Sequence, residues 1–191
     1  MTVFLPLLLS PFGQWTALEP CVSHTPSAIV MRCESGGYYG PPLDLWRGVR
    51  LAVDVRMTPA ADSRGWAGLA LNADIKADDR YAEVAIERGI APYWGDTQAY
   101  GVHLSTPADR CCDRMIEAGD GWHHLEIVYQ AGRADYAIDG VRASVAIDLG
   151  PAASVELLCV ATDPGESKPG NRATCEFAGL VIEQPAERHG D

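Results

Sequence analysis

Apolar and polar residues alternate with a period of two along most of this chain, and helical periodicity is nearly absent. The clearest segment is "GVRLAVDVRM". As a strand it places Val49, Leu51, Val53, Val55 and Met57 on one side and Arg50, Asp54 and Arg56 on the other, one face for a core and one for water. Such segments recur about every 10–15 residues with Gly, Pro, Asp or Asn between them, the pattern of an antiparallel sandwich or barrel.

"GWAGLALNA" follows, and then "RYAEVAIERG", which puts Tyr81, Glu83, Ala85 and Glu87 on one face and Ala82, Val84 and Ile86 on the other. "QAYGVHLS" is the next predicted strand, and residues 106–114 read as a turn-rich loop carrying two cysteines. "WHHLEIVYQ" turns Leu125, Ile127 and Tyr129 inward and His124 and Glu126 outward. "RADYAI" and "VRASVAIDL" flank Asp139-Gly140, a pair that favours a type I′ hairpin turn because glycine accepts positive φ at little cost. "SVELLCVAT" is apolar on both sides and predicts a strand central in its sheet, and "ATCEFAGLVIE" predicts the closing strand. Residues 184–191 read as a frayed tail. No repeat, linker or low-complexity tract interrupts this order, so residues 1–191 are expected to form a single domain.

The opening "MTVFLPLLLSPFGQ", residues 1–14, admits two readings. It resembles the apolar region of a secretory signal but lacks a basic start and a clear small-x-small cleavage site. Alternatively it is a first strand broken by Pro6. The run is too short to span a bilayer, and no membrane insertion is expected.

The bulk numbers narrow the partners. The chain has 191 residues, 47% hydrophobic and 21% charged, with 26 acidic against 15 basic residues and a net charge of −11. No two basic residues are adjacent, so the electrostatic footprint of a nucleic-acid binder is missing. The acidic balance also disfavours anionic membranes and polyanionic sugars, leaving neutral glycans or cationic partners open. Of the six cysteines, Cys21 with Cys33 and Cys159 with Cys175 are expected to form disulfides in a secreted setting, each pair from neighbouring strands. Cys111 and Cys112 are adjacent, and a bond between them would strain the intervening peptide. No C-x-x-C motif is present, which disfavours a zinc ribbon or a thioredoxin-like site.

From Trp122 onward, "GWHHLEIVY", "YAIDGVRA" and "CEFAGLVIE" resemble the concanavalin A-like jelly-roll superfamily, especially its laminin-G-like and sugar-binding, lectin-like members. "LWRGVRLAVDVRM", "GWAGLALNAD" and "RYAEVAIERG" are similar to the strands before that hairpin, so the resemblance covers residues 45–183. It implies an all-β, two-sheet antiparallel jelly-roll sandwich, secreted or periplasmic, with a groove on the concave side of one sheet. Sugars suit such grooves: aromatic rings stack on pyranose C–H faces, and polar groups satisfy desolvated hydroxyls. Laminarinase-type glycosidases of this superfamily carry Glu-x-Asp-x-Glu on a concave strand, with the first Glu as nucleophile and the last as acid/base. "EVAIE" is similar in spacing, which would assign Glu83 and Glu87, but Ala85 stands where that family has its Asp. Residues four apart on a strand are also about 13 Å apart at Cα, against about 5–5.5 Å between carboxyl groups in retaining glycosidases.

The expected function is therefore non-catalytic recognition of a glycan or cell-surface ligand. The candidate ligand-binding residues are Tyr81, Glu83, Glu87, Tyr93, Trp94, Asp96, Tyr100 and His103, the last five from the aromatic loop "IAPYWGDTQAYGVH". Two alternatives stand beside it: a glycoside hydrolase or polysaccharide lyase in the same groove, and an adhesion domain docking protein. Trp66 and Trp122, at strand starts, are expected in the core. His123 and His124 are adjacent on a strand, point to opposite faces and cannot readily grip one zinc ion. No cofactor is required; calcium is possible, with Asn72, Asp74, Asp78 and Asp79 or the loop "TDPGESKPGN" supplying oxygens. No Gly-x-Ser-x-Gly elbow marks an activated serine.

Overall fold

The structure, a computed structural model of the chain, describes residues 4–6, 15–17, 20–58, 65–73, 80–88, 100–106, 109–116, 121–160 and 172–185. All regular structure among them is strand. Upstream of the resemblance lie β1 (Phe4–Pro6), β2 (Thr16–Ala17), β3 (Val22–His24), β4 (Ile29–Cys33) and β5 (Ser35–Asp44). Then follow β6 (Val49–Thr58), β7 (Gly65–Asn72), β8 (Tyr81–Arg88), β9 (Tyr100–Thr106) and β10 (Asp109–Ile116). The chain closes with β11 (His123–Gln130), β12 (Arg133–Ile138), β13 (Val141–Ala146), β14 (Ala152–Val160) and β15 (Ala173–Pro185).

These strands form two antiparallel sheets. One has eight strands, in the order β13-β12-β11-β6-β15-β4-β3 with β1 beside β15; the other has seven, in the order β10-β9-β8-β7-β14-β5-β2. Alternation decides what lies between them. Leu51, Val53, Val55, Leu125, Ile127 and Phe177 from the first sheet meet Leu69, Leu71, Val84, Ile86, Val155 and Leu157 from the second, all at most 1% exposed. Burial of so many aliphatic side chains, at roughly 1.5–3 kcal/mol each, is what holds the sheets face to face.

The hairpin at residues 139–140 is as the sequence predicts. Asp139 (φ 44°) and Gly140 (φ 85°) both take positive φ, as a type I′ turn requires. β14 is central, hydrogen-bonded to β7 on one side and β5 on the other. Of residues 1–14, Phe4–Pro6 form the short β1 against β15; the rest lie outside the described residues.

Four expectations are corrected. Within the loop expected at residues 106–114, residues 109–114 belong to strand β10, which pairs with β9 across a register break between Cys111 and Arg114. Gln184 and Pro185, placed by the sequence in the tail from residue 184, are strand residues of β15 that pair with Leu5 and Phe4. Trp122 is no core residue: it is 44% exposed, with the Arg56 guanidinium 5.0 Å from its ring centre, a cation–π contact at the surface.

The fourth concerns cysteine. Cys21 and Cys33 are joined by a disulfide, as expected, but Cys159 and Cys175 are free and buried. They are not on neighbouring strands: β14 and β15 belong to opposite sheets, and both thiols point into the core. Burial pushes the Cys175 thiol well above its ordinary range, and the hydrogen bond with Cys159 acts in the same direction.

Candidate functional site

The two outward faces of the sandwich differ in chemistry. On the eight-stranded sheet, the outward residues pair off across strands. Arg50 binds Glu126 at 2.9 Å and Glu183 at 2.8 Å, and these two carboxylates hold its guanidinium above its ordinary pKa. Arg56 binds Glu176, and His124 Nδ1 lies 2.7 Å from Asp54. His123 is buried and shares its Nδ1 with Asp139, so the adjacent histidines do face opposite ways, each toward its own carboxylate. This face is wet and ion-paired.

The outward face of the seven-stranded sheet is recessed instead. Strand register aligns Glu83, Ala70, Glu156, Tyr39 and Thr16 in one row across β8, β7, β14, β5 and β2. The neighbouring row is Ala85, Gly68, Leu158 and Gly37. A third row on the other side contains Tyr81, Asn72 and Ser154. None of these side chains belongs to the core cluster between the sheets, yet Asn72, Ser154 and Glu156 are only 3–6% exposed and Ala85 is fully buried.

A buried carboxylate is costly unless it is hydrogen-bonded. Glu156 Oε2 accepts from Asn72 Nδ2 at 3.0 Å. Glycine makes its room: a Cβ on Gly37 would lie 2.6 Å from Glu156 Oε1 and 2.5 Å from the Tyr39 hydroxyl. Both oxygens therefore crowd one spot above the bare backbone of β5. Gly68 does the same for the floor, since a Cβ there would meet Ala85 Cβ at 2.8 Å and Val84 O at 3.0 Å. Small residues thus line the middle of the sheet, and the polar groups around it are themselves largely shielded from solvent. Gly68→Val is expected to destabilise the fold by about 1–3 kcal/mol, because the backbone carbonyl of Val84 cannot move aside. A lower urea midpoint at unchanged m-value is the readout.

Of the residues singled out from the sequence, Tyr81 and Glu83 stand half-buried on this recessed face. Ala82, Val84 and Ile86 point the other way, into the core, as the alternation predicts. The backbone of Glu87 pairs with Trp66 and Gly101; Tyr100 and His103 lie on β9 in register with Arg88 and Ala85. Tyr93, Trp94 and Asp96 lie outside the described residues, as do Asp74, Asp78, Asp79 and residues 162–171. Asn72 directs its amide nitrogen to Glu156. Among the described residues no three His, Cys, Asp or Glu side chains converge in a way that could hold a metal ion. Trp66, expected in the core, is half-buried on the outward face, in the row of Glu87 and Val160.

Two residues were missed, Glu156 and Tyr39, and Asn72 was singled out only as an oxygen ligand for calcium, whereas its amide nitrogen donates to Glu156. The signal was present for Glu156, a lone charge inside "SVELLCVAT", but nothing local says which sheet face receives it.

The order and curvature of such a two-sheet stack can be compared with solved structures. The β-glucanase of Bacillus licheniformis superposes with a TM-score of 0.61 at 13% identity, over 97% of this chain and 98% of that one. The catalytic domain of an endo-1,3-β-glucanase (laminarinase) from Thermotoga petrophila superposes at 0.64 and 8% identity, over 98% and 100%. Winged bean acidic lectin, complexed with methyl-α-D-galactose, superposes at 0.66 and 10%, over 92% and 94%. The fold is the concanavalin A-like jelly roll. No protein-family model matches the sequence, and no curated protein matches it. At such identities the likeness establishes the jelly roll and nothing about its chemistry. It also extends the resemblance seen in residues 45–183 over nearly the whole chain, because β2 and β5 complete the seven-stranded sheet of the jelly roll.

Proposed function

We propose that the recessed face of the seven-stranded sheet binds a neutral or cationic carbohydrate without cleaving it. The observation that carries this reading is the row Glu83, Ala70, Glu156 and Tyr39: two carboxylates and a phenol flank a floor with almost no side chain. Carboxylates accept hydrogen bonds from sugar hydroxyls, and the half-buried Tyr81 and Trp66 offer rings for the apolar side of a pyranose. The described floor has no Lys or Arg, which fits a ligand without negative charge. Solved structures of this fold include a lectin in complex with a methyl galactoside and several glucanases, which supports a glycan in the groove. The Cys21–Cys33 disulfide supports a secreted or periplasmic location, since such bonds persist in oxidising compartments.

One observation favours hydrolysis as the second reading. Glu83 and Glu156 share a row two strand spacings apart, about 10 Å at Cα. Glu156 Oε1 lies over Gly37 of β5, so its side chain would have to swing toward β8 to bring the pair within the roughly 6.5–9.5 Å of inverting glycosidases. Glu83 and Glu87, the pair suggested by the laminarinase-type motif, start farther apart and have buried Ala85 between them.

Calorimetry and a reducing-end assay on one panel of neutral and amino-sugar oligosaccharides separate these readings. Binding without release of reducing ends is expected, with Glu83→Gln and Glu156→Gln each weakening it about tenfold or more, the worth of a lost charged hydrogen bond. Release of reducing ends that either variant abolishes would establish the hydrolase instead. A panel on which nothing binds and nothing is cleaved sinks both.

A further inference from the structure

Among the described residues five strands have an open side: β13, β3, β10 and β2 end their sheets, and β1, three residues closed by Pro6, pairs only with β15. An edge strand presents unpaired N–H and C=O groups and invites pairing with another chain unless it is short, charged, bulged or broken by proline. β2 has two residues and β3 has three. β10 carries Asp109, Arg110, Asp113 and Arg114 and a register break. β13 has the least of this protection among the described edges. It runs for six residues, "VRASVA", in unbroken register with β12, with Arg142 as its one charge.

The chemistry of β13 is also self-complementary. Val141, Ala143 and Val145 pack against the core, while Arg142, Ser144 and Ala146 are exposed. Counting from the two-residue turn, the backbone groups of Arg142, Ser144 and Ala146 are those that point away from β12. We propose that β13 pairs antiparallel with β13 of a second copy of this chain, joining two eight-stranded sheets edge to edge. Only registers that match inward with inward residues are allowed, because a one-residue slip would turn every side chain to the wrong face. The register centred on Ala143 satisfies this. Val141 then meets the partner's Val145, extending the apolar side, and Arg142 meets the partner's Ser144.

Charge supports that register. Ser144 donates to Asp135, and Asp135 also accepts from Arg133 Nε at 2.9 Å. Asp135 and Glu126, together with Arg133 and Arg142, line a surface trough of about 480 Å³ beside the edge. The Ser144 hydroxyl, and more weakly Arg133, hold the Asp135 carboxyl below its ordinary range, so it is ionised at neutral pH. Arg142 has no ion-pair partner among the described residues. Across the two-fold axis it reaches the partner's Asp135, and the contact forms twice. A single six-residue strand pairing is small beside the ~1,200–2,000 Å² of stable interfaces, so the dimer exchanges rapidly with monomer.

Sedimentation velocity from micromolar to millimolar protein tests this on the whole chain. The weight-average mass is expected to rise from 20.5 kDa toward twice that value. Ser144→Pro removes an outward N–H without touching the β12 ladder, and should stay monomeric with an unchanged far-UV spectrum. Arg142→Glu, a surface change that spares folding, should weaken association about tenfold, and adding Asp135→Arg should restore it. A wild-type mass that stays at the monomer value overturns the proposal, as does Arg142→Glu associating like wild type. Neither outcome bears on whether the seven-stranded sheet binds glycan.

Discussion

Phe177→Ala is expected to lower the free energy of unfolding by about 3–5 kcal/mol. Phe177 is 1% exposed on β15, in register with Val55 on one side and Ile29 on the other. β15 lies between β6 and β4, so no edge can shift to fill the hole. The ring also reaches toward the facing sheet, whose core side chains it helps to hold. Its removal therefore subtracts transfer free energy and leaves a cavity that neighbours close only in part. In a chain of this size the thermal midpoint should fall by roughly 6–20 °C. Calorimetry or urea titration gives the value; a loss below about 1 kcal/mol would mean that Phe177 is not packed between the sheets.

Removing the disulfide should cost nearly as much. Cys21 and Cys33 are 12 residues apart, and a closed loop of that length restrains the unfolded chain by about 3 kcal/mol. What the bond secures is β3, an edge strand of three residues whose pairing with β4 is too short to hold alone. Beyond that short ladder, backbone bonds run from Arg32 N to Cys21 O and from Thr25 N to Ala28 O, each at 2.8 Å. Cys33 is fully buried and packed against Gly36, where a Cβ would lie 2.6 Å from its sulfur. Replacing both cysteines by alanine, or reducing the bond, should lower the urea midpoint and free residues 15–24 for early hydrogen exchange. Equal stability with and without reductant would refute this role. The buried pair Cys159 and Cys175 gives an internal control, since both thiols should resist labelling until the protein unfolds.

Alternation carried most of the fold. The inward set of β6, from Val49 to Met57, is buried as the period of two requires, and the same holds for β8, β11 and β12. These readings succeed because side-chain direction in a strand is set by the backbone of that strand alone. The turn at residues 139–140 succeeds for a similar reason, since positive φ is a property of the residues that adopt it. Where the pattern was weak, the reading failed. "DRCCDRM" in β10 has no apolar face, so it looked like a loop; pairing with β9 is what makes it a strand.

The candidate site divides the same way. The period of two separated Tyr81 and Glu83 from Ala82, Val84 and Ile86, and the local sequence sufficed for that. Which strand comes to lie beside β8 is a different matter. Glu156 stands two strands from Glu83 although they are 73 positions apart, and hydrogen bonds between distant segments put it there. Trp66 and Trp122 looked alike in sequence, at the head of a strand with apolar neighbours, yet one stands on the recessed face and the other over Arg56. Cys159 and Cys175 likewise looked like a bonded pair on neighbouring strands, whereas opposite sheets bring them together in the core as free thiols. Local residues thus determine strand direction, turn type and which side is wet, because each depends on a few bonded neighbours. Strand order, sheet membership and the company each carboxylate keeps depend on contacts between remote parts of the chain, and only the folded molecule settles them.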